Sequence, residues 1–229
     1  LVRERAAAPV PVLTPEELEA LAFEGDVVSV TDTRQAVSER VESIDIIPAE
    51  AVLSGVHPSE ALNAKAGVNI HRGSGQEHLT AIRSPVLTGG AGAGSFLYLE
   101  NGVPLRAAGF ANVNGLFEAG TEYADQVELF KGPGPAEYGS NAVHGLVNIV
   151  TPAPGSGNRL TLIGSSRGYG RLTIGHDVTE DFRATLSLAH DDGFRDDSGF
   201  DQQKVELSYQ TFLGEWDMEA IAAFTNLNQ

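Results

Sequence analysis

From residue 159 onward, hydrophobic and polar residues alternate with a period of two. Five stretches carry the pattern: 159–165, 170–178, 181–190, 203–212 and 216–225. Each has the length of a strand. In the third, Phe182, Ala184, Leu186 and Leu188 share one face, and Arg183, Thr185 and Ser187 share the other. In the fourth, Val205, Leu207 and Tyr209 oppose Lys204, Glu206, Ser208 and Gln210. In the fifth, Trp216, Met218, Ala220, Ala222 and Phe224 oppose Asp217, Glu219 and Thr225. One apolar face and one polar, charged face suit a wall between lipid and a polar lumen. A soluble antiparallel sheet alternates in the same way. The connections favour the wall: Asp177–Asp181 and Leu213–Glu215 are tight, and Asp191–Gln202 is long and polar.

The earlier part of the chain follows another pattern. Residues 1–25 are Ala/Pro/Glu-rich and read as a linker, with a helix start at Thr14-Pro15. Asp26–Thr31 is a short β-prone run within a 26–40 connecting region. Residues 41–153 mix short elements: a strand over Val41–Ile47, helices at Pro48–Leu53 and from Pro58, and a strand at Val68–His71. Further strands are expected at Phe96–Leu99, Gln126–Phe130 and Leu146–Thr151. Glu100-Asn101-Gly102 is a turn in which Asn-Gly tolerates positive φ. The expected fold is an α+β domain over 41–153, then the first five strands of a transmembrane antiparallel β-barrel over 158–229, with Thr151–Gly157 as the boundary. Five strands cannot close a barrel, so the chain is expected to be a fragment of a longer polypeptide.

Composition narrows the function. A net charge of −16 argues against a nucleic-acid partner. The absence of cysteine removes disulfides and thiolate metal sites. No stretch reaches the ~20 apolar residues of a membrane helix, but a barrel strand needs only ~10 alternating ones. The chain opens at Leu1 without methionine, so a leader is expected to have been cut or left out. Gly89–Gly94 lacks the GxGxxG spacing and precedes a strand, and Gly134–Ser140 lacks the lysine of a phosphate loop. Neither is a nucleotide site. His71 with His78, and the aspartates 191, 192, 196, 197 and 201, show no metal-ligand spacing. No residues stand out as catalytic, cofactor-binding or metal-ligating.

The most specific stretch is Val127–Thr151, VELFKGPGPAEYGSNAVHGLVNIVT. Glu128, Lys131, Gly132-Pro133, Tyr138-Gly139, Ala142, Gly145, Val147, Asn148 and Ile149 resemble the plug-domain signature of TonB-dependent receptors. Upstream, Ile82-Arg83 and then Phe96–Leu105 resemble a second motif of that family, and Ser59–Leu62 with Gly67-Val68 a third. All three occur in the family's order. Ser84 stands where the family usually has Gly, Lys131 where it has Arg, and Glu100-Asn101 replaces its usual turn start. Lys131 keeps the charge but loses the bidentate fork.

The resemblance implies a plug inside a barrel of the bacterial outer membrane. It implies active import of a scarce nutrient, typically a ferric siderophore, driven by the TonB complex of the inner membrane. No chemistry is done on the cargo, so an enzyme is not expected. The expected partners are TonB, a small-molecule cargo such as a ferric siderophore, and outer-membrane lipid. Asp26, Val27, Val28, Ser29, Val30 and Thr31 are the candidate TonB box, gripped by strand addition. Arg83, Glu128 and Lys131 sit where the family ties plug to barrel, with Glu128 and Lys131 expected to reach one patch of wall. Arg106, Phe110, Asn112 and Asn114, on a loop expected at the plug apex with 87–95, offer a cation, an aromatic face and two amides to an anionic chelate. The alternative is a soluble α+β binding or adhesion module.

Overall fold

The apolar run Phe96-Leu97-Tyr98-Leu99 is covered on both faces, and the first half of the molecule is organised around it. The computed structural model describes residues 43–86, 95–106, 114–134, 138, 141–214 and 216–229. In chain order the first half contains β1 (Ile44–Pro48), α1 (Ala49–Leu53), α2 (Ser59–Asn63), β2 (Val68–Arg72) and β3 (His78–Ile82). Then follow β4 (Phe96–Glu100), β5 (Val103–Pro104), a 3-10 turn (Gly115–Phe117), β6 (Gln126–Lys131) and β7 (Gly145–Val150). One sheet has the order β1-β6-β7-β4-β5, and β2 pairs with β3 separately.

Strand parity divides the core. Phe96, Tyr98, Val127, Leu129, Val147 and Ile149 face a cluster completed by Ile47 of β1, Val52 of α1, Leu62 of α2 and Ile70 of β2. Leu97, Leu99, Phe130 and Leu146 face the other way, onto Tyr138 and Ala142. The Asn101-Gly102 turn behaves as its sequence predicts. Both residues have positive φ, 48° and 77°. The Asn148 side chain accepts from the Gly102 N–H at 2.8 Å, and Asn101 exchanges two bonds with Thr151, each of 2.9 Å. The end of β4 is thereby fastened to the end of β7. β3 was not anticipated from sequence, because His-Leu-Thr-Ala-Ile lacks clean alternation.

The second half is a meander. β8 (Arg159–Gly164), β9 (Gly170–Thr179), β10 (Phe182–Asp191), β11 (Phe200–Leu213) and β12 (Trp216–Asn228) pair in sequence order, all antiparallel. All five expected strands form. β11 begins three residues early, so the long connection shortens to 192–199. The decisive feature is the sense of burial. The polar face is covered: Arg171, Thr173, Arg183, Thr185, Ser187, Lys204, Glu206 and Ser208 are buried. The apolar face is bare: Leu160, Leu162, Ile174, Leu207, Tyr209, Trp216 and Phe224 are exposed. Lys204 retains 1% of its surface while Leu207 retains 40%. A soluble sheet would bury these faces the other way round. Both halves belong to one compact unit, Glu42–Gln229. The two terminal segments of the domain reading, 1–25 and 26–40, lie outside the described residues.

Candidate functional site

The boundary between the two halves is where polarity is concentrated. Parity on β9 and β11 points Arg171, Gln202 and Lys204 inward, and the first half supplies their acceptors. Lys204 Nζ lies 2.5 Å from Glu122 Oε2 and also donates to the Ala119 carbonyl, with the pair almost wholly buried. Arg159 Nη2 meets Asp125 Oδ1 at 2.6 Å. Arg171 donates to the Leu53 carbonyl, and Gln202 to the Phe117 carbonyl at 3.3 Å. In both ion pairs the first half supplies the acid and the strands supply the base. One apolar contact joins them, with Val56 seated on Tyr169, Ala189 and Phe200.

Arg83, Glu128 and Lys131 all find partners inside the first half. Lys131 Nζ lies 2.6 Å from Asp45 Oδ2 of β1. Arg83, at φ 50°, donates to the Lys131 carbonyl and to Ser43 Oγ, each at 2.9 Å. Glu128 Oε2 accepts from Asn148 at 2.9 Å, and Oε1 accepts from Gln126 at 3.2 Å. Lys131 is the last residue of β6, and its odd spacing from Glu128 puts the two on opposite faces. They do not share one patch. Glu128 instead orients Asn148, the residue that caps the Asn101-Gly102 turn.

The β2–β3 hairpin tip meets the 192–199 connection. Arg195 donates to Ser74 Oγ at 2.7 Å, the Gln76 N–H donates to Gln229 at 3.0 Å, and Arg72 lies 3.7 Å from Asp191. Beside the tip is a cleft of about 350 Å³ lined by His71, Arg72, Glu77, His78 and Asn114. Of the four residues read as cargo contacts, Asn114 lies at this cleft, but its Oδ1 accepts the His78 N–H at 2.7 Å. Arg106 forms a two-pronged pair with Glu118, its Nε donating at 2.9 Å, so its charge is already engaged. Phe110, Asn112, the loop 87–94 and Asp26–Thr31 lie outside the described residues. His71, Arg72 and Glu77 were not singled out as cleft residues, because a hairpin shows its neighbours only when folded.

His78 holds the cleft's back wall. Its Nδ1 donates to the Gln76 carbonyl at 3.1 Å, and its Nε2 accepts the Leu116 N–H at 3.4 Å. That fixes a neutral tautomer, since an Nε2 proton would point at another donor. Burial lowers its pKa to about 4. His57, 5.4 Å away ring to ring, is pushed well below its ordinary value by burial first, then because it and His78 cannot both carry a proton, and by the Arg72 charge.

The model of the TonB-dependent Receptor Plug Domain matches residues 36–146. The chain carries the plug domain of a TonB-dependent receptor. Several solved structures are similar to it in fold. The ferric yersiniabactin uptake receptor FyuA of Yersinia pestis is 19% identical, with a TM-score of 0.58 over 81% of this chain and 32% of that one. The siderophore receptor PirA of Pseudomonas aeruginosa is 23% identical, TM-score 0.56, over 82% and 34%. FpvA of P. aeruginosa, solved with bound pyoverdines, is 15% identical, TM-score 0.62, over 84% and 26%. The chain thus spans between 26% and 34% of the length of these three structures. The matched fold includes the strands that follow the plug, and these form part of a barrel wall.

Two outcomes follow for the plug. A buried ion pair contributes little net stability, but removing one partner strands the other, at about 3–5 kcal/mol. Glu122→Ala should therefore destabilise the plug by that order and speed hydrogen exchange over 116–125. Joint replacement, Glu122→Leu with Lys204→Met, should recover most of the loss in urea unfolding. Equal losses in the single and double variants would remove the pair from this role. The second outcome concerns pH. With its folded pKa lowered to about 4 against an ordinary 6.5, His78 contributes stability that is complete above pH 6.5. It is lost as pH falls from 6.5 towards 4, because the unfolded chain takes up the proton first, by about 3 kcal/mol over the window. His78→Gln should flatten the stability slope between those pH values.

Proposed function

We propose that this chain is the gate and first wall strands of a TonB-dependent importer in the outer membrane of a Gram-negative bacterium. It admits a scarce nutrient, a ferric siderophore or a similar metal chelate. The observation that carries the reading is the inverted burial of β9–β11, polar towards the plug and apolar outward. That pattern serves a strand standing between lipid and a filled lumen. A soluble binding or adhesion module would have to leave the same apolar face in water. The cargo class rests on the similar structures, among them a ferric yersiniabactin uptake receptor, a siderophore receptor and a protein solved with bound pyoverdines. Such a protein moves its cargo unchanged and is not an enzyme.

The N-terminal region supplies the energy input in this reading. Asp26–Thr31 is the TonB box, a β-prone run after a flexible linker, and TonB grips it by main-chain pairing. Cargo is met at the outward end by Phe110 and Asn112, together with the cleft at Asn114, while Arg106 serves the plug itself through its pair with Glu118. The plug is held to the wall through Glu122–Lys204 and Asp125–Arg159. Arg83, Glu128 and Lys131 act at one remove, by fixing β1 and the β6–β7 pair.

Chain direction gives the topology. β8, β10 and β12 run outward, so the 192–199 connection is outside the cell and the 180–181 turn is in the periplasm. Ser198 is turned inward and buried, so Asp196, which is exposed, is the better labelling site. Cysteine at Asp196 should react with an impermeant reagent on intact cells, and cysteine at Glu180 only after the outer membrane is opened. The reverse order would invert the topology. Val28→Pro, which removes a ladder donor, should abolish energised uptake and leave cargo binding at the surface intact. Undiminished uptake would place the TonB box elsewhere.

A further inference from the structure

Four residues on the inward face of β10 and β11 form a block. Arg183 stands opposite Ser208, and Thr185 opposite Glu206. All four are at least nine-tenths buried. Thr185 Oγ1, Ser208 Oγ and both carboxylate oxygens of Glu206 have no hydrogen-bond partner. Unmatched hydroxyls and carboxylate oxygens at this density are costly unless something fills the space between them. From the plug side, Glu100 and Thr151 face Glu206 across the boundary, and Glu219 of β12 adds to the negative field. Burial raises the pKa of the Tyr123 phenol, and Glu206, Glu100 and Glu122 raise it further, so three carboxylates act on one buried group.

The nearby cations are already committed. Lys204 is held by Glu122 and the Ala119 carbonyl. Arg183 Nη1 is held by Asp177 and the Gly157 carbonyl, each at 2.7 Å, which leaves its Nε as the unpartnered donor. One oxygen of Glu100 accepts the Gly120 N–H at 2.5 Å, and that is a neutral donor. Glu100 and Glu206 therefore confront each other without a counter-charge. No three carboxylates or histidines converge among the described residues. The available donors are two carboxylates and two hydroxyls, all oxygen.

We propose that the plug–barrel boundary contains a binding site for a hard, calcium-sized divalent cation, held by Glu206 and Glu100 with the hydroxyls of Thr185 and Ser208. An all-oxygen set is the preference of such ions, and two carboxylates balance a double charge. Donors spread over two strands and the plug suit the flexible coordination of calcium better than the rigid octahedron of magnesium. The ion joins β4 to β11 where the side chains alone would repel, and chelation releases that tie.

The test uses the full-length receptor in detergent, freed of divalent ions and titrated with terbium as a luminescent substitute for calcium. Tyr123 beside the site is the antenna. Sensitised emission should be displaced by calcium. The Tyr123→Phe protein should lose a component of it that wild type and a surface control, Glu180→Gln, retain. Calcium should raise the wild-type melting temperature and leave Glu206→Gln unmoved. Thr185→Val with Ser208→Ala keeps both carboxylates, and it should fold and bind calcium more weakly even if Glu206→Gln does not fold. Emission and calcium stabilisation alike in wild type and in every folded variant would overturn the site. So would a melting temperature that ignores calcium and follows pH, because a shared proton would then be the occupant.

Discussion

The structure depends on one constraint: a polar sheet face must be covered by polar groups that match it. On β9, β10 and β11 most of the buried side chains are polar: arginine, lysine, threonine, serine, glutamine and glutamate. An apolar partner would leave each of them unsatisfied, at a cost that grows with every group. The plug answers with carboxylates at Glu122 and Asp125 and with main-chain carbonyls at Leu53, Phe117 and Ala119. This explains why the plug carries its hydrophobic residues internally, on both faces of the β4-centred sheet, and shows a hydrophilic exterior to the wall.

Much of this was legible in the chain, at the level of parity. Alternation from 159 onward sorted residues into two faces, and each face stayed together in the fold. Parity could not say which face is covered. That depends on what stands beside the sheet, and soluble and lipid-facing sheets share the same period. The Asn101-Gly102 turn was readable because positive φ is a local property. β3 was not, because its His-Leu-Thr-Ala-Ile sequence becomes a strand only by pairing with β2.

The site was less legible than the fold, for a related reason. Glu122 and Lys204 are 82 residues apart, and neither belongs to a recognisable motif. Arg106 looked like a cation available to cargo, yet Glu118 occupies it. Arg83, Glu128 and Lys131 were readable as important, because they stand within family motifs, but their partners were not. Motif matching identifies residues whose identity is constrained. It does not say whether the constraint is a contact across a boundary or a tie within one domain.

Those three residues have a mechanical meaning that follows from where β1 lies. β1 is an edge strand, laddered to β6 on one side only, and the chain N-terminal to it leads back to Ser43. In the proposed reading, tension arriving along the N-terminal segment loads β1 before any other described element. Peeling it away breaks a single ladder and leaves β6, β7 and β4 zipped together. Asp45–Lys131 and Ser43–Arg83 rivet that strand at its leading end, so they set the force at which it starts to come off. Under such a pull the plug would open first along this one edge, with the rest of its sheet as the part that survives.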